Sequence, residues 1–127
     1  MTKVWNVTIP SQPPSANHMY IIGRGYRRGG IAYPKIVKAP GVESYQTMAA
    51  MVTRLAKPSG WKWDGGLLVL EYHFHLADNI DTDNAMKAIS DSISDAIGVD
   101  DKWFLNRAMT KEWGLKGPQV RVEVTIG

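Results

Sequence analysis

Between residues 67 and 97 the hydrophobic period changes once, and that change limits the folds open to the chain. Leu68, Leu70, Tyr72, Phe74 and Leu76 alternate with more polar side chains, the two-residue repeat of a strand buried on one face. After a short acidic stretch, Met86, Ile89, Ile93 and Ile97 recur at helical spacing, and Gly98 suits the C-terminal cap of that helix. A further strand is predicted over 103–113. Gly114 to Pro118 then makes a turn, and Val120, Val122, Val124 and Ile126 alternate again.

The first half reads less sharply. Trp5, Val7 and Ile9 define a strand that Pro10, Pro13 and Pro14 end. Residues 21–34 mix Gly23, Gly25, Gly29 and Gly30 with arginines and tyrosines, which predicts a flexible basic loop or a ragged hairpin. Tyr45, Met48, Val52 and Leu55 mark a helix over 41–57, stopped by Pro58. The expected class is α/β (α+β). One domain over 1–127 would hold a mixed sheet with two main helices, in the order β-α-β-α-β-β. With 127 residues, 44% of them hydrophobic, the chain can build a real core.

Several function classes fall away on composition. The absence of cysteine excludes disulfides, thiolate metal sites and a cysteine nucleophile. No apolar run approaches the roughly 20 residues that span a bilayer. Met1-Thr2-Lys3-Val4-Trp5 lacks an apolar signal core, so a cytoplasmic protein with no membrane partner is expected.

The net charge of +3 conceals an uneven distribution. Residues 78–101 carry seven acids and a single base, Lys87, whereas the first 42 residues carry six bases and no acid. A basic body around one acidic spot suits a polyanion partner and a metal site, although a solvated surface with chance clustering gives the same count.

The acids have a suggestive order. Asp81 and Asp83 flank Thr82 where a strand gives way to a helix, and hard divalent ions take carboxylate and water oxygens. Asp83 alone is equally well read as a helix cap. A calcium loop beginning at Asn79 fails, because its sixth position is Asn84 and its twelfth Ser90. Lys87 and Asp91 follow Asp83 on one helical face, where Lys87 could contact a phosphate or simply join an exposed ion pair. Asp100 and Asp101 come just after the helix, at an end that disfavours anions. A turn bringing them back to Asp81 and Asp83 would complete a carboxylate cluster.

Taken in order, these residues resemble the RusA family of Holliday junction resolvases over almost the whole chain. Pro13-Pro14-Ser15-Ala16-Asn17 is similar to the family's early proline and asparagine motif. Asp81-Thr82-Asp83-Asn84-Ala85-Met86-Lys87 is similar to its central aspartate and lysine pattern, and Asp100-Asp101 to its next acidic motif. Lys111 falls where a family lysine does. The resemblance implies catalytic metal ligands at Asp81, Asp83 and Asp101, with Asp100 as the neighbouring acid, and a catalytic lysine at Lys87. It also implies magnesium or manganese as cofactor, a homodimer with one active site per subunit, and branched DNA, such as four-way junctions, as partner. Bacterial or prophage-borne DNA recombination and repair is the expected setting. One stretch departs from the pattern. Family members can carry arginines just before the first catalytic aspartate, and here Asp78-Asn79-Ile80 stands there. The DNA-contacting charge is therefore expected at Arg24, Arg27, Arg28, Lys35 and Lys38, with Asn17 and Lys111 beside it. The alternative is a DNA-binding module without catalysis, whose acids serve capping and solubility.

His73 and His75 lie on the face opposite Tyr72 and Phe74 and read as sheet-surface or helix-covered residues rather than ligands. Tyr20, Tyr26 and Tyr33 could stack on exposed bases or pack locally. The five tryptophans read as core and interface anchors.

Overall fold

The computed structural model describes residues 2–14, 20–26, 30, 32–38 and 41–127. Among them lie the strands β1 (Thr2–Pro10), β2 (Tyr20–Tyr26), β3 (Ala32–Lys38), β4 (Leu68–His75), β5 (Phe104–Glu112) and β6 (Gln119–Ile126). Helix α1 spans Val42–Ala56, α2 spans Thr82–Ile97, and a 3-10 turn at Asp101–Trp103 leads into β5.

Four strands make one mixed sheet in the order β1-β6-β4-β5. β6 runs antiparallel to both neighbours, with Val122 opposite Val7 on β1 and Tyr72 on β4. β4 and β5 are parallel, in register from Leu68↔Phe104 to His75↔Glu112. The expected class and element order are borne out. β2 and β3 add a separate antiparallel pair, in register from Tyr20↔Lys38 to Tyr26↔Ala32. The segment expected as a loop or ragged hairpin is thus a paired hairpin.

The alternation of the strands fixes which face is covered. Trp5, Val7, Ile9, Leu68, Leu70, Tyr72, Phe74, Val120, Val122 and Val124 are buried in one core with Tyr45, Ala49, Ala85, Ile89 and Ile93 of the helices. The two helices run side by side in the same sense. Gln46 Nε2 donates to the Ala88 carbonyl at 3.2 Å, and Arg54 pairs with Asp95 at 3.1 Å farther along both. A polar chain ties β4, β5 and α2 beneath them. The Tyr72 hydroxyl donates to Asn106 Oδ1 at 2.9 Å, and Asn106 Nδ2 donates to Ser90 Oγ at 3.3 Å. Burial pushes the Tyr72 hydroxyl far above its ordinary pKa, so it stays a donor.

Helix α1 corrects one sequence expectation. Leu55 is 80% exposed, and the buried face is Val42, Tyr45, Ala49, Ala50 and Thr53. Small residues let α1 lie close to α2, and Thr53 satisfies its hydroxyl on the Ala49 carbonyl at 2.7 Å. Tyr45, Met48 and Val52 face the core as expected, and an apolar count errs only at Leu55, because it favours leucine over alanine. Ile93→Ala should therefore cost about 2–5 kcal/mol in a denaturant titration. Leu55→Ser should stay within about 0.5 kcal/mol of the parent in the same titration.

Candidate active site

The loop between β4 and α2 is anchored on two sides before it reaches the acids. On one side the β5–β6 connection binds it: Leu76 N–H donates to the Glu112 carbonyl at 2.8 Å, and the N–H groups of Gly114 and Leu115 donate to Ala77 and Leu76 at 3.0 Å. On the other side stands Gln12, just beyond β1. Its Oε1 accepts the Ala77 N–H at 2.8 Å, and its Nε2 donates to the Asp78 carbonyl at 3.2 Å. Ser11, at φ 84°, turns the chain toward this contact while its N–H donates to Pro118 at 2.9 Å. Sequence reading passed over Gln12, because a lone glutamine among prolines has no periodic or motif signal.

Asp81 ends this loop as the N-cap of α2. Its backbone is extended (φ −68°, ψ 115°), and its Oδ1 accepts the Asp83 N–H at 2.9 Å. The helix starts two residues earlier than its apolar stripe suggests, and Asp83 lies in its first turn. Asp81, Asp83 and, one turn on, Lys87 are all exposed. Asp91 is exposed too, and it lines a groove of about 470 Å³ between the helices with Glu43, Gln46, Arg54 and Asp95.

Asp100 and Asp101 sit at the other end of α2. Gly98 closes the helix in the left-handed region (φ 70°), with its N–H on the Ser94 carbonyl. Asp100 then caps the 3-10 turn, its Oδ1 accepting the Lys102 N–H at 3.0 Å. That backbone donor, chiefly, holds the Asp100 carboxyl below the usual carboxylate range.

One chain does not bring the four carboxylates together. The 16 residues of α2 rise about 24 Å between the two pairs. The sheet gives the same answer: Asp101 precedes Phe104, level with the start of β4, whereas Asp81 follows its end. Among the described residues no three His, Asp or Glu side chains stand close enough to hold one ion. The turn expected to return Asp100 and Asp101 to Asp81 is absent, because a parallel β5 must begin at the far end of the sheet. The donor chemistry still fits a hard divalent ion: the carboxylates are exposed, and the Asp81 cap uses one oxygen of two.

The basic residues divide. Lys35 is exposed on β3, and Arg24 and Lys38 occupy positions opposite Pro34 and Tyr20 in the hairpin. Asn17, Arg27 and Arg28 lie outside the described residues. Lys111 stands at the acid-bearing end of β5, with Nζ 5.7 Å from the Trp113 ring. His73 belongs to the sheet surface, as expected, with Nδ1 3.3 Å from Thr110 Oγ1.

The family model described as endodeoxyribonuclease RusA matches residues 10–126. The chain belongs to the RusA endodeoxyribonuclease family. The match spans the Gln12 anchor, the hairpin, both acid pairs and three of the four sheet strands, β4, β5 and β6. No curated protein sequence matches the chain. RusA membership makes it an endonuclease of the Holliday junction resolving type.

Asp81 combines a structural bond with an exposed carboxylate, and substitution can separate the two. Asp81→Ala should lose about 1 kcal/mol of stability through the missing cap. Asp81→Ser, which keeps an acceptor for the Asp83 N–H, should melt close to the parent. If both variants melt alike, the capping role is wrong.

Proposed function

We propose that this RusA protein cuts four-way DNA junctions as a homodimer, and that each active site draws on two protomers. Asp81, Asp83 and Lys87 come from one copy and Asp101 from the other. The observation that carries this reading is the separation of the acid pairs across the length of α2, about 24 Å within one chain. A single ion cannot bridge that gap, whereas a two-fold dimer can close it twice.

Asp81 and Asp83 would hold magnesium or manganese with Asp101 of the second copy. The bound ion supplies charge neutralisation at the scissile phosphate and a more acidic water. Lys87, one helical turn beyond Asp83, places its ammonium on the same exposed face and offsets negative charge as it builds on the phosphate oxygens. The amides of α2's first turn favour an anion at the same place.

Affinity for the junction is assigned to the hairpin. Its flanks are tied near the acid end: Gln12 is fixed to the Asp78 loop, and α1 begins beside the first half of α2, where Val42 packs on Ala88. A basic hairpin springing from that end can follow a phosphate backbone toward the carboxylates. The reading places the protein with cellular or phage DNA. The capping bonds of Asp81 and Asp100 favour a second reading, a DNA-binding module whose acids only terminate helices.

A nicking assay on a synthetic four-way junction separates the two readings. Asp83→Asn and Asp101→Asn should each bind the junction in magnesium without cutting it. Mixed and allowed to exchange subunits, they should regain nicking, because the heterodimer rebuilds one complete site. A mixture as inactive as its components would sink the shared site, and a wild-type protein that shifts the junction without nicking it would leave the binding module. Replacing Arg27 and Arg28 with alanine should lower the salt-dependence slope of binding by up to about two units. Single-turnover cleavage at saturating protein should change far less.

A further inference from the structure

Four of the five tryptophans stand in ring pairs. Trp61 meets Trp5 edge-on at 5.7 Å between centroids, and Trp103 is tilted against Trp63 at 5.8 Å. Trp113 is the most exposed of the five, at 56%, and a cation lies against its ring, with Lys111 Nζ 5.7 Å from the centroid. A lone exposed apolar side chain is ordinary. What sets this one apart is how it is mounted and where it stands.

Trp113 lies between two backbone bonds to the loop that leads to Asp81. Before it, the Glu112 carbonyl accepts the Leu76 N–H at 2.8 Å; after it, Gly114 N–H donates to the Ala77 carbonyl at 3.0 Å. Gly114, at φ 76°, makes that turn in the left-handed region that glycine enters freely. Lys111 shows which side of the sheet the ring takes. It is level with Phe74 in the parallel pairing, and residues level with each other on neighbouring strands share a face. Phe74 packs into the core with Ala85 and Ile89 of α2. Lys111 and the ring beside it therefore stand on the α2 side, at the end of the sheet where α2 begins. Ala77 precedes Asp81 by four residues, so their backbones are at most about 14 Å apart. That is about four nucleotides of one strand at roughly 3.4 Å each.

We propose that Trp113 is a stacking platform for an unpaired base of the strand whose phosphate lies at Asp81 and Asp83, and that this contact makes the protein prefer branched DNA to continuous duplex. The proposal rests on the reading of that end as the cutting site. Every base has a π-face, so an exposed indole accepts any of the four. In continuous duplex those faces are already stacked, and freeing one costs a few kcal/mol. At a branch point the stack is interrupted, and a base there reaches the ring at lower cost. Lys111 beside the ring and Lys116, exposed three residues on, supply phosphate contacts to the same strand. Their charge attracts any nucleic acid, whereas the ring alone tells a free base from a stacked one. The two bonds around Trp113 fix the platform before DNA arrives, so little ordering is left to offset the contact.

A cycle of protein and DNA changes tests the contact directly. Synthetic four-way junctions carry a single abasic site, moved one nucleotide at a time through the branch point, and binding is measured in EDTA. At one or two positions the missing base should weaken binding by the parent roughly tenfold. Trp113→Ala should bind the intact junction as weakly as the parent binds those abasic ones, and should lose nothing further on them. Its affinity for continuous duplex and its salt-dependence slope should match the parent's, because no phosphate contact is removed. Trp113→Phe should restore most of the junction preference. Equal losses on junction and duplex, additive effects at every abasic position, or a change in sedimentation of Trp113→Ala that makes the ring a subunit contact would each overturn the proposal. If Asp83→Asn cuts normally while the abasic coupling appears, the stacking contact stands and the cutting site is misplaced. If Asp83→Asn binds without cutting and no position couples to Trp113, the site stands and the platform is wrong.

Discussion

A strand parallel to its neighbour can be reached only by a crossover that travels back along the sheet. β5 lies parallel to β4, so α2 must traverse the sheet between them, and its 16 residues do so. Ala85, Ile89 and Ile93 bury that traverse against Leu70, Tyr72 and Phe74. The Tyr72, Asn106 and Ser90 hydrogen bonds pin the same three elements together. Two acid pairs only 17 residues apart in sequence, Asp83 to Asp100, are driven to opposite ends by this one pairing. The core and the dispersal of the acids have a single cause.

The acids at both ends also perform local work that hides their other uses. Asp81 caps α2 and Asp100 caps the 3-10 turn, each through a bond from a backbone N–H two residues on. A cap stabilises by about 1 kcal/mol, enough to explain an aspartate in either place without any catalysis. What capping leaves unexplained is the company: Asp83 beside Asp81, Lys87 one turn later, and Asp101 beside Asp100, all facing water. Two carboxylates side by side gain nothing from capping that one would not supply.

Most of the fold was legible because most of its elements bury one face. Clean alternation located β4 and β6, and the isoleucine stripe located α2 to within two residues of its start. Failures came where burial and hydrophobicity part company. Leu55 is apolar yet exposed, while Ala49 and Thr53 hold the buried face of α1 because close helix packing needs small side chains. The residue types at the candidate site were legible for a similar reason, since capping, metal binding and phosphate contact all use short polar side chains at helix ends. Their relative positions were not. Residues 103–113 look the same whether the strand runs parallel or antiparallel to β4, and only the direction decides whether Asp101 lies near Asp81.

Electrostatics gives the dispersal a consequence. Seven acids between residues 78 and 101 oppose the approach of a phosphate backbone, and Lys87 is the only cation among them. At physiological salt exposed charges act over about 8 Å, so each acid pair repels DNA mainly where it stands. With the pairs at opposite ends of one chain, neither builds a strongly negative spot by itself. Joined across a dimer, they would make a dense carboxylate cluster that binds a divalent cation far better than either pair alone and that disfavours DNA until the cation is present. In that arrangement the basic hairpin would supply affinity for the junction through phosphate contacts, and cutting would wait on two conditions: the second copy and the ion. On the proposed reading, binding and cleavage would be governed by different groups at different places, one by phosphate contacts that salt screens and the other by a cluster formed between two protomers.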